Sequence, residues 1–149
     1  MGGVRRRRGN ADVLLAVALG GAVGGTARHA LTLLVPHDGT GFPWATFTEN
    51  VAGCLAIGAL MVVITEMVTP HRLLRPFLGV GVLGGFTTFS AYAVDALSLV
   101  EGGAPLTALA YLAATLLAAL AAVRAGAVLA RAAARHRRTR SDREARGSN

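Results

Sequence analysis

Cysteine occurs only once in the chain, at Cys54, which excludes an internal disulfide and leaves the redox compartment open. The four histidines, His29, His37, His71 and His136, have no ligand spacing, so no metal site built from their side chains is expected. Charge is sparse, at 15% of residues, and two stretches, Pro36 to Gly41 and Glu101 to Ala104, hold no arginine at all. Missing too are the short polar and apolar alternations of a soluble core. The hydrophobic residues, 53% of the total, come in long blocks, and that pattern belongs to a membrane protein.

A helix needs roughly 20 apolar residues to cross the hydrocarbon. The blocks predict spans at about 11–35, 43–65, 73–99 and 105–130. A four-helix transmembrane domain, 11–130, would thus lie between a basic N-terminal segment, 1–10, and a basic tail, 131–149. Four crossings put both termini on one side, and arginine decides which. Arg5 to Arg8, Arg72 and Arg75, and Arg131, Arg135, Arg137, Arg138 and Arg140 all flank the same side. Both termini are therefore expected in the cytoplasm, with a single orientation in the cell inner membrane.

Arg5 to Arg8 before Val13 to Leu19 superficially fits a secretory signal, but more membrane follows where a cleavage site and soluble domain should be. The net charge of +7 invites a nucleic-acid reading. The positives cluster at span flanks and in the tail, so anionic lipid is the nearer partner and no nucleic acid is expected.

Each span carries a polar or glycine-rich signature. In the first, Gly20, Gly21, Gly24 and Gly25 form two overlapping Gly-x-x-x-Gly patterns, which let another backbone approach closely. Arg28, inside the same span, is costly there unless functional or paired. Arg28 and Glu49 both fall roughly 10 Å below the outer ends of their helices and could pair. Otherwise Arg28 reaches outward alone and Glu49 is protonated.

In the second span Thr46, Asn50 and Gly53 are helical neighbours, so a hydroxyl and an amide share a face beside a gap. Asn50 alone is equally a bond to another helix. The third span, at about 27 residues, would be near 40 Å as continuous helix against roughly 30 Å of hydrocarbon. A break over Gly84 to Thr88 resolves the excess and leaves carbonyls near the bilayer midplane, where half-helix ends commonly hold ions. In the fourth, Thr107, Tyr111 and Thr115 recur every four residues as one polar stripe, either a lining or a seam between helices. Arg124 is expected to reach the cytoplasmic interface.

The run Gly84-Gly85-Phe86-Thr87-Thr88-Phe89-Ser90 resembles the broken third helix of the bacterial fluoride-channel family (Fluc, also called CrcB). Thr46-Phe47-Thr48-Glu49-Asn50-Val51-Ala52-Gly53 resembles the family's second-helix segment, and the first-span glycines with Thr26-Ala27-Arg28-His29 loosely keep its first-helix signature. The likeness covers all four spans, roughly residues 13 to 130.

This resemblance implies an all-α membrane protein of four transmembrane helices, the third broken at mid-membrane, assembled as an antiparallel dimer of the dual-topology type. It implies a fluoride-selective channel, not an enzyme, through which cytoplasmic fluoride leaves passively and the cell is protected. The pore residues so implied are Asn50, Phe89, Tyr92, Thr46, Ser90, Tyr111 and Thr115. Arg28 and Glu49 would form a vestibule or intramembrane pair. A structural sodium ion would be held at the dimer interface by the main-chain oxygens of Gly84 and Thr87. The physics is coherent: fluoride is small and strongly hydrated, so amide and hydroxyl protons and aromatic ring edges must replace its water.

Several positions depart from the family pattern. Glu49 stands where an apolar residue is usual, and must be neutralised, turned away, or a mark of lost conduction. Tyr92 stands at the second pore phenylalanine, and its phenol could bind the ion, narrow the path or hydrogen-bond elsewhere. Ala91, Ala93 and Ala119 lack expected hydroxyls. The arginine bias favours pairing with an oppositely oriented paralogue, a homodimer remaining possible. Two other classes stay open: a non-conducting partner subunit of a heterodimeric channel, and a proton-coupled multidrug transporter. The transporter should centre on a first-span carboxylate, where only Asp12 is present, at the margin.

Overall fold

The computed structural model describes the backbone of residues 3–35, 41–67 and 71–147, and the side chains of 10–35, 41–67 and 71–136. The first-loop residues 36–40 and the side chains of Arg5 to Arg8, Arg137, Arg138 and Arg140 lie outside the described residues. Five α-helices follow in order: α1 (Gly3–Leu34), α2 (Trp44–Val62), α3 (Leu83–Phe86), α4 (Phe89–Glu101) and α5 (Pro105–Gly147). Wider π-helical turns extend α2 over Val63–Met67 and lead into α3 over Pro76–Val82. No strand occurs among the described residues.

Four stretches are long and apolar enough to cross a membrane: Asn10–Leu34, Trp44–Met67, Pro76–Glu101 and Pro105–His136. The expected boundaries hold to within a few residues, apart from the last, which runs further. Helix continues beyond the spans at both ends: α1 starts at Gly3 and α5 runs unbroken to Gly147. Arginine and alanine are strong helix formers, and between Gly126 and Gly147 no glycine or proline interrupts them.

The third span is broken, over fewer residues than expected. Gly84 to Phe86 stay helical because the Thr87 amide still donates to Leu83 O at 2.9 Å, while Thr87 (φ −82°, ψ 154°) and Thr88 (φ −145°, ψ 127°) are extended. The correction confines the gap to Thr87 and Thr88. Thr88 then caps α4, its Oγ1 accepting from the Ala91 amide at 3.1 Å. The gap lets one span change partners: Pro76–Phe86 packs along α1, whereas α4 leans on α5, which itself runs along α2.

Glycine makes these approaches possible. A Cβ on Gly20 or Gly24 would fall 2.3 Å from Phe77 O or 2.0 Å from Val82 O, and one on Gly58 or Gly126 would fall 2.1 Å from Val123 O or 2.0 Å from Leu55 O. Backbone touches backbone at both seams. Gly21, Gly25 and Gly84 meet nothing within 4 Å, so the glycine pattern of α1 serves one inner face and one open face.

At one end of the bundle α4 turns into α5 through Gly103, whose φ of +80° places it in the left-handed region. Buried Ala96, Leu99, Ala108 and Tyr111 form a core there, with Phe42, Phe47, Tyr92 and Leu112 against it. The other end is tied by charge. Arg72 pairs with Asp12 at 2.5 Å, and Arg131 holds Glu66 through Nη2 at 2.7 Å and Nε at 3.1 Å. Large apolar side chains such as Leu14, Val80 and Leu116 lie exposed along the sides, where acyl chains would meet them.

Candidate ion path at the helix break

The gap in the third span frees the backbone of Thr88, and Asn50 on α2 takes both of its groups. Asn50 Oδ1 accepts from the Thr88 amide at 2.9 Å, and Nδ2 donates to Thr88 O at 3.0 Å. In a helix the Thr88 amide would have gone to Gly84 O. Diverting it leaves the Gly84 carbonyl at the C-terminal end of a half-helix, on a residue that faces open space. Asn50 therefore pins the break, and its second Nδ2 proton is left for another acceptor.

Asn50, Cys54, Thr87, Thr88, Phe89, Tyr92, Thr115, Leu116 and Ala119 border a groove of about 290 Å³. At about 30 Å³ per water, that is room for a small ion with part of its shell. Thr115 is 5% exposed, and its Oγ1 is the buried side-chain polar atom without a partner among the described residues. Such an orphan donor is costly in a dry interior unless water or a ligand completes it. Phe89 is 80% exposed, its ring 5.9 Å from that of Tyr92 and tilted by 49°. The groove is thus walled on α2, the break and α5, and is open on the side to which Phe89 points.

The structure brings Asn50, Phe89, Tyr92 and Thr115 to the groove, while Ser90, Thr46 and Tyr111 stand just outside its lining, the Tyr111 ring 5.3 Å from that of Tyr92. Ser90 is exposed and its hydroxyl pairs with that of Thr88 at 3.3 Å. Thr46 and Tyr111 belong to the aromatic core: Tyr111 is fully buried, donates to Asp95 Oδ2 at 3.3 Å and has the Thr46 hydroxyl beside its phenol. The Tyr92 phenol donates to Leu112 O at 2.9 Å, which settles the three-way expectation in favour of bonding elsewhere.

Of the two alternatives for Arg28 and Glu49, no ion pair within 4 Å joins them among the described residues, although Arg28 is near enough to act on the carboxylate electrostatically. Arg28 Nε donates to Gly85 O at 3.2 Å, neutralising a carbonyl at the end of the half-helix, where a cation suits the dipole. Glu49 is 2% exposed and accepts from Thr32 Oγ1 at 3.0 Å. It faces α1 and takes no part in lining the groove.

For a hard cation the fit is reasonable. Carbonyl oxygens are the ligands such ions take, and the break offers two: Gly84 O, relieved of its helical amide in the half-helix, and Thr87 O in the extended link. Among the described residues no cluster of His, Cys, Asp or Glu offers an alternative.

The chain is similar to known sequences over most of its length. A family model described as "CrcB-like protein, Camphor Resistance (CrcB)" matches residues 15–127. The chain belongs to the CrcB-like family. It is 63% identical over 115 residues to "Fluoride-specific ion channel FluC 2" of Streptomyces avermitilis, covering 75% of this chain and 73% of the relative. It is 60% identical over 116 residues to "Fluoride-specific ion channel FluC 1" of Streptomyces coelicolor, covering 78% and 75%. "Fluoride-specific ion channel FluC 3", also of Streptomyces avermitilis, is 42% identical over 143 residues, covering 91% and 70%. The CrcB-like match spans all four helices and ends before the arginine-rich extension of α5.

Sequence reasoning missed four features of this CrcB-like chain. The hold of Asn50 on the break could not be seen without the fold. Asp95 was legible as a carboxylate inside a span, and Thr32 as a hydroxyl one turn beyond Arg28. The aromatic group of Phe42, Phe47 and Tyr111 gave no periodic signal, because its members come from different elements.

Proposed function

We propose that the chain is a subunit of a fluoride-specific channel that lets cytoplasmic fluoride leave the cell passively, protecting it from fluoride toxicity. The observation that carries this is the groove at the helix break. It combines an unpartnered buried hydroxyl (Thr115), an amide with a proton to spare (Asn50) and an aromatic ring standing free (Phe89). The hydroxyl and the amide can each turn a proton to an anion and the ring its electropositive edge, the set a desolvated anion needs. Tyr92 adds a ring edge. Thr46, Ser90 and Tyr111 support the wall from behind or from the open face.

One wall is missing, and we assign it to a second subunit. Phe89 and Gly84 are exposed, and a Cβ on Gly21 or Gly25 would point into open space. A second chain packed there in the opposite orientation would close the groove and bring its own break against this one. A sodium ion on Gly84 O and Thr87 O, shared with the same atoms of the partner, would cross-link the two half-helix ends. Two differently numbered relatives in Streptomyces avermitilis support a paralogue as the partner. The subunit lies in the inner membrane with both termini in the cytoplasm, as its arginines direct.

Fluoride efflux from liposomes tests the reading. It is measured for the chain alone and co-purified with an oppositely biased relative, then with Phe89→Ile and Asn50→Asp. Loss of efflux in both variants is the expected result. Efflux untouched by either would place the working pore wholly on the partner.

A further inference from the structure

We propose that Cys54 is a modification site in the ion path, and that a small neutral sulfur electrophile which thiolates its Sγ closes that path. The proposal rests on reading the groove as the route of the ion. Cys54 follows Asn50 by four residues on α2, so its side chain stands on the same face about 6 Å further along the helix axis. Both border the groove, and so does Thr115, whose buried hydroxyl has no partner. That orphan donor marks the stretch beside Cys54 as one completed by a ligand or by water. The thiol is free and half-buried, and no polar group holds it to the helix.

Of the other residues bordering the groove, Leu116 and Ala119 have no polar side-chain atoms, the Thr87 hydroxyl is given to Leu83 O at 2.9 Å, and that of Thr88 is engaged by Ser90 and the Ala91 amide. The thiol proton and the Thr115 hydroxyl are therefore the side-chain donors an ion would meet after leaving Asn50. Capping the sulfur removes one of them and puts an apolar group in its place. An anion stripped of part of its shell would face hydrocarbon where it had a donor, and the barrier would rise.

The chemistry is a simple exchange. With methyl methanethiosulfonate, Cys54 gives its proton to water, its sulfur attacks the thiomethyl sulfur, and a new S–S bond forms. The bond from that sulfur to the sulfonyl group breaks, and methanesulfinate leaves with the electron pair. A thiol reductant returns Cys54: its thiolate attacks the thiomethyl sulfur, the bond to Cys54 Sγ breaks, the thiomethyl group leaves on the reductant as a disulfide, and the Cys54 thiolate regains a proton.

The test uses the full chain in liposomes, in whichever assembly conducts, with intact mass and fluoride efflux followed together. The reagent is expected to add one thiomethyl group per chain and to slow efflux at least about tenfold, relative to the same vesicles before addition. Reductant should restore both. Cys54→Ser should gain no mass and should show no change on treatment relative to its own starting rate.

A second measurement needs no conduction: the rate of thiomethylation in sodium fluoride against sodium sulfate of equal ionic strength. Fluoride in the groove should protect Cys54 by at least about threefold. Complete labelling with unchanged efflux overturns the proposal. So does failure to label the folded chain under conditions that label it once unfolded, or labelling that fluoride leaves unaffected. Efflux absent from the start, with fluoride still protecting Cys54, would instead count against the transport reading and leave this site standing.

Discussion

Thr115 and Asn50 present opposite problems, and substituting them should separate stability from transport. The Thr115 hydroxyl has no partner, so Thr115→Val removes a desolvated group while keeping the shape. Its melting temperature in detergent should be unchanged or higher, a gain of up to about 1–2 kcal/mol. Efflux should nevertheless fall severalfold, and Thr115→Ser should recover it. Asn50 instead satisfies both backbone groups of Thr88. Asn50→Leu would strand an amide and a carbonyl, each at about 1–3 kcal/mol. That variant should lose folded yield and efflux together, and an Asn50→Leu protein as stable as the parent would remove Asn50 from the break. Glu49 shows how a departure from pattern is absorbed: a carboxylate beside an anion path is tolerable because it turns to Thr32 and leaves the groove to its neighbour.

The four spans were legible because a run of apolar residues of sufficient length has few other fates, and the break was legible because glycines and hydroxyls interrupted one such run. Its length was not. Whether Gly84 stays helical depends on the Thr87 amide finding Leu83 O, and on Asn50 from another helix claiming Thr88, which no local pattern encodes. The glycines carry the same lesson, since Gly20, Gly21, Gly24 and Gly25 look alike in sequence but divide into inner and outer faces. Gly58→Ala and Gly126→Ala would force a Cβ to within 2.1 Å and 2.0 Å of backbone oxygen across the α2–α5 seam. Each should lose about 1–3 kcal/mol and reduce the yield of folded subunit on size-exclusion chromatography. Gly21→Val and Gly25→Val enter open space, so the subunit should fold while cross-linking to its partner weakens. Equal damage at both sets would mean that the open face is covered by something within the chain.

The subunit is lopsided in two ways that bear on one another. Its groove is open on one side, and the arginines that flank the spans include two, Arg72 and Arg131, that knit the helices at one end through Asp12–Arg72 and Glu66–Arg131. In the assembly proposed above, a strong charge bias would hold nearly every copy in one orientation. Two copies so held could not meet head to tail, and an inverted partner would be needed to bring its own break beside this one across the open face. The chain expressed by itself should therefore give little efflux. Co-expression with a relative whose arginines flank the opposite loops should restore it. Reporters fused at the C-terminus should read cytoplasmic for this chain and external for the partner. Neutralising Arg72 and Arg75 together with Arg131 and Arg135 should let a fraction of this chain invert. Efflux from the neutralised chain alone should rise with that fraction, although the lost ion pairs cost up to about 1 kcal/mol each at such exposed sites. A parent chain that conducts fully on its own, with every terminus in the cytoplasm, would require a parallel assembly and would rule out the inverted pair.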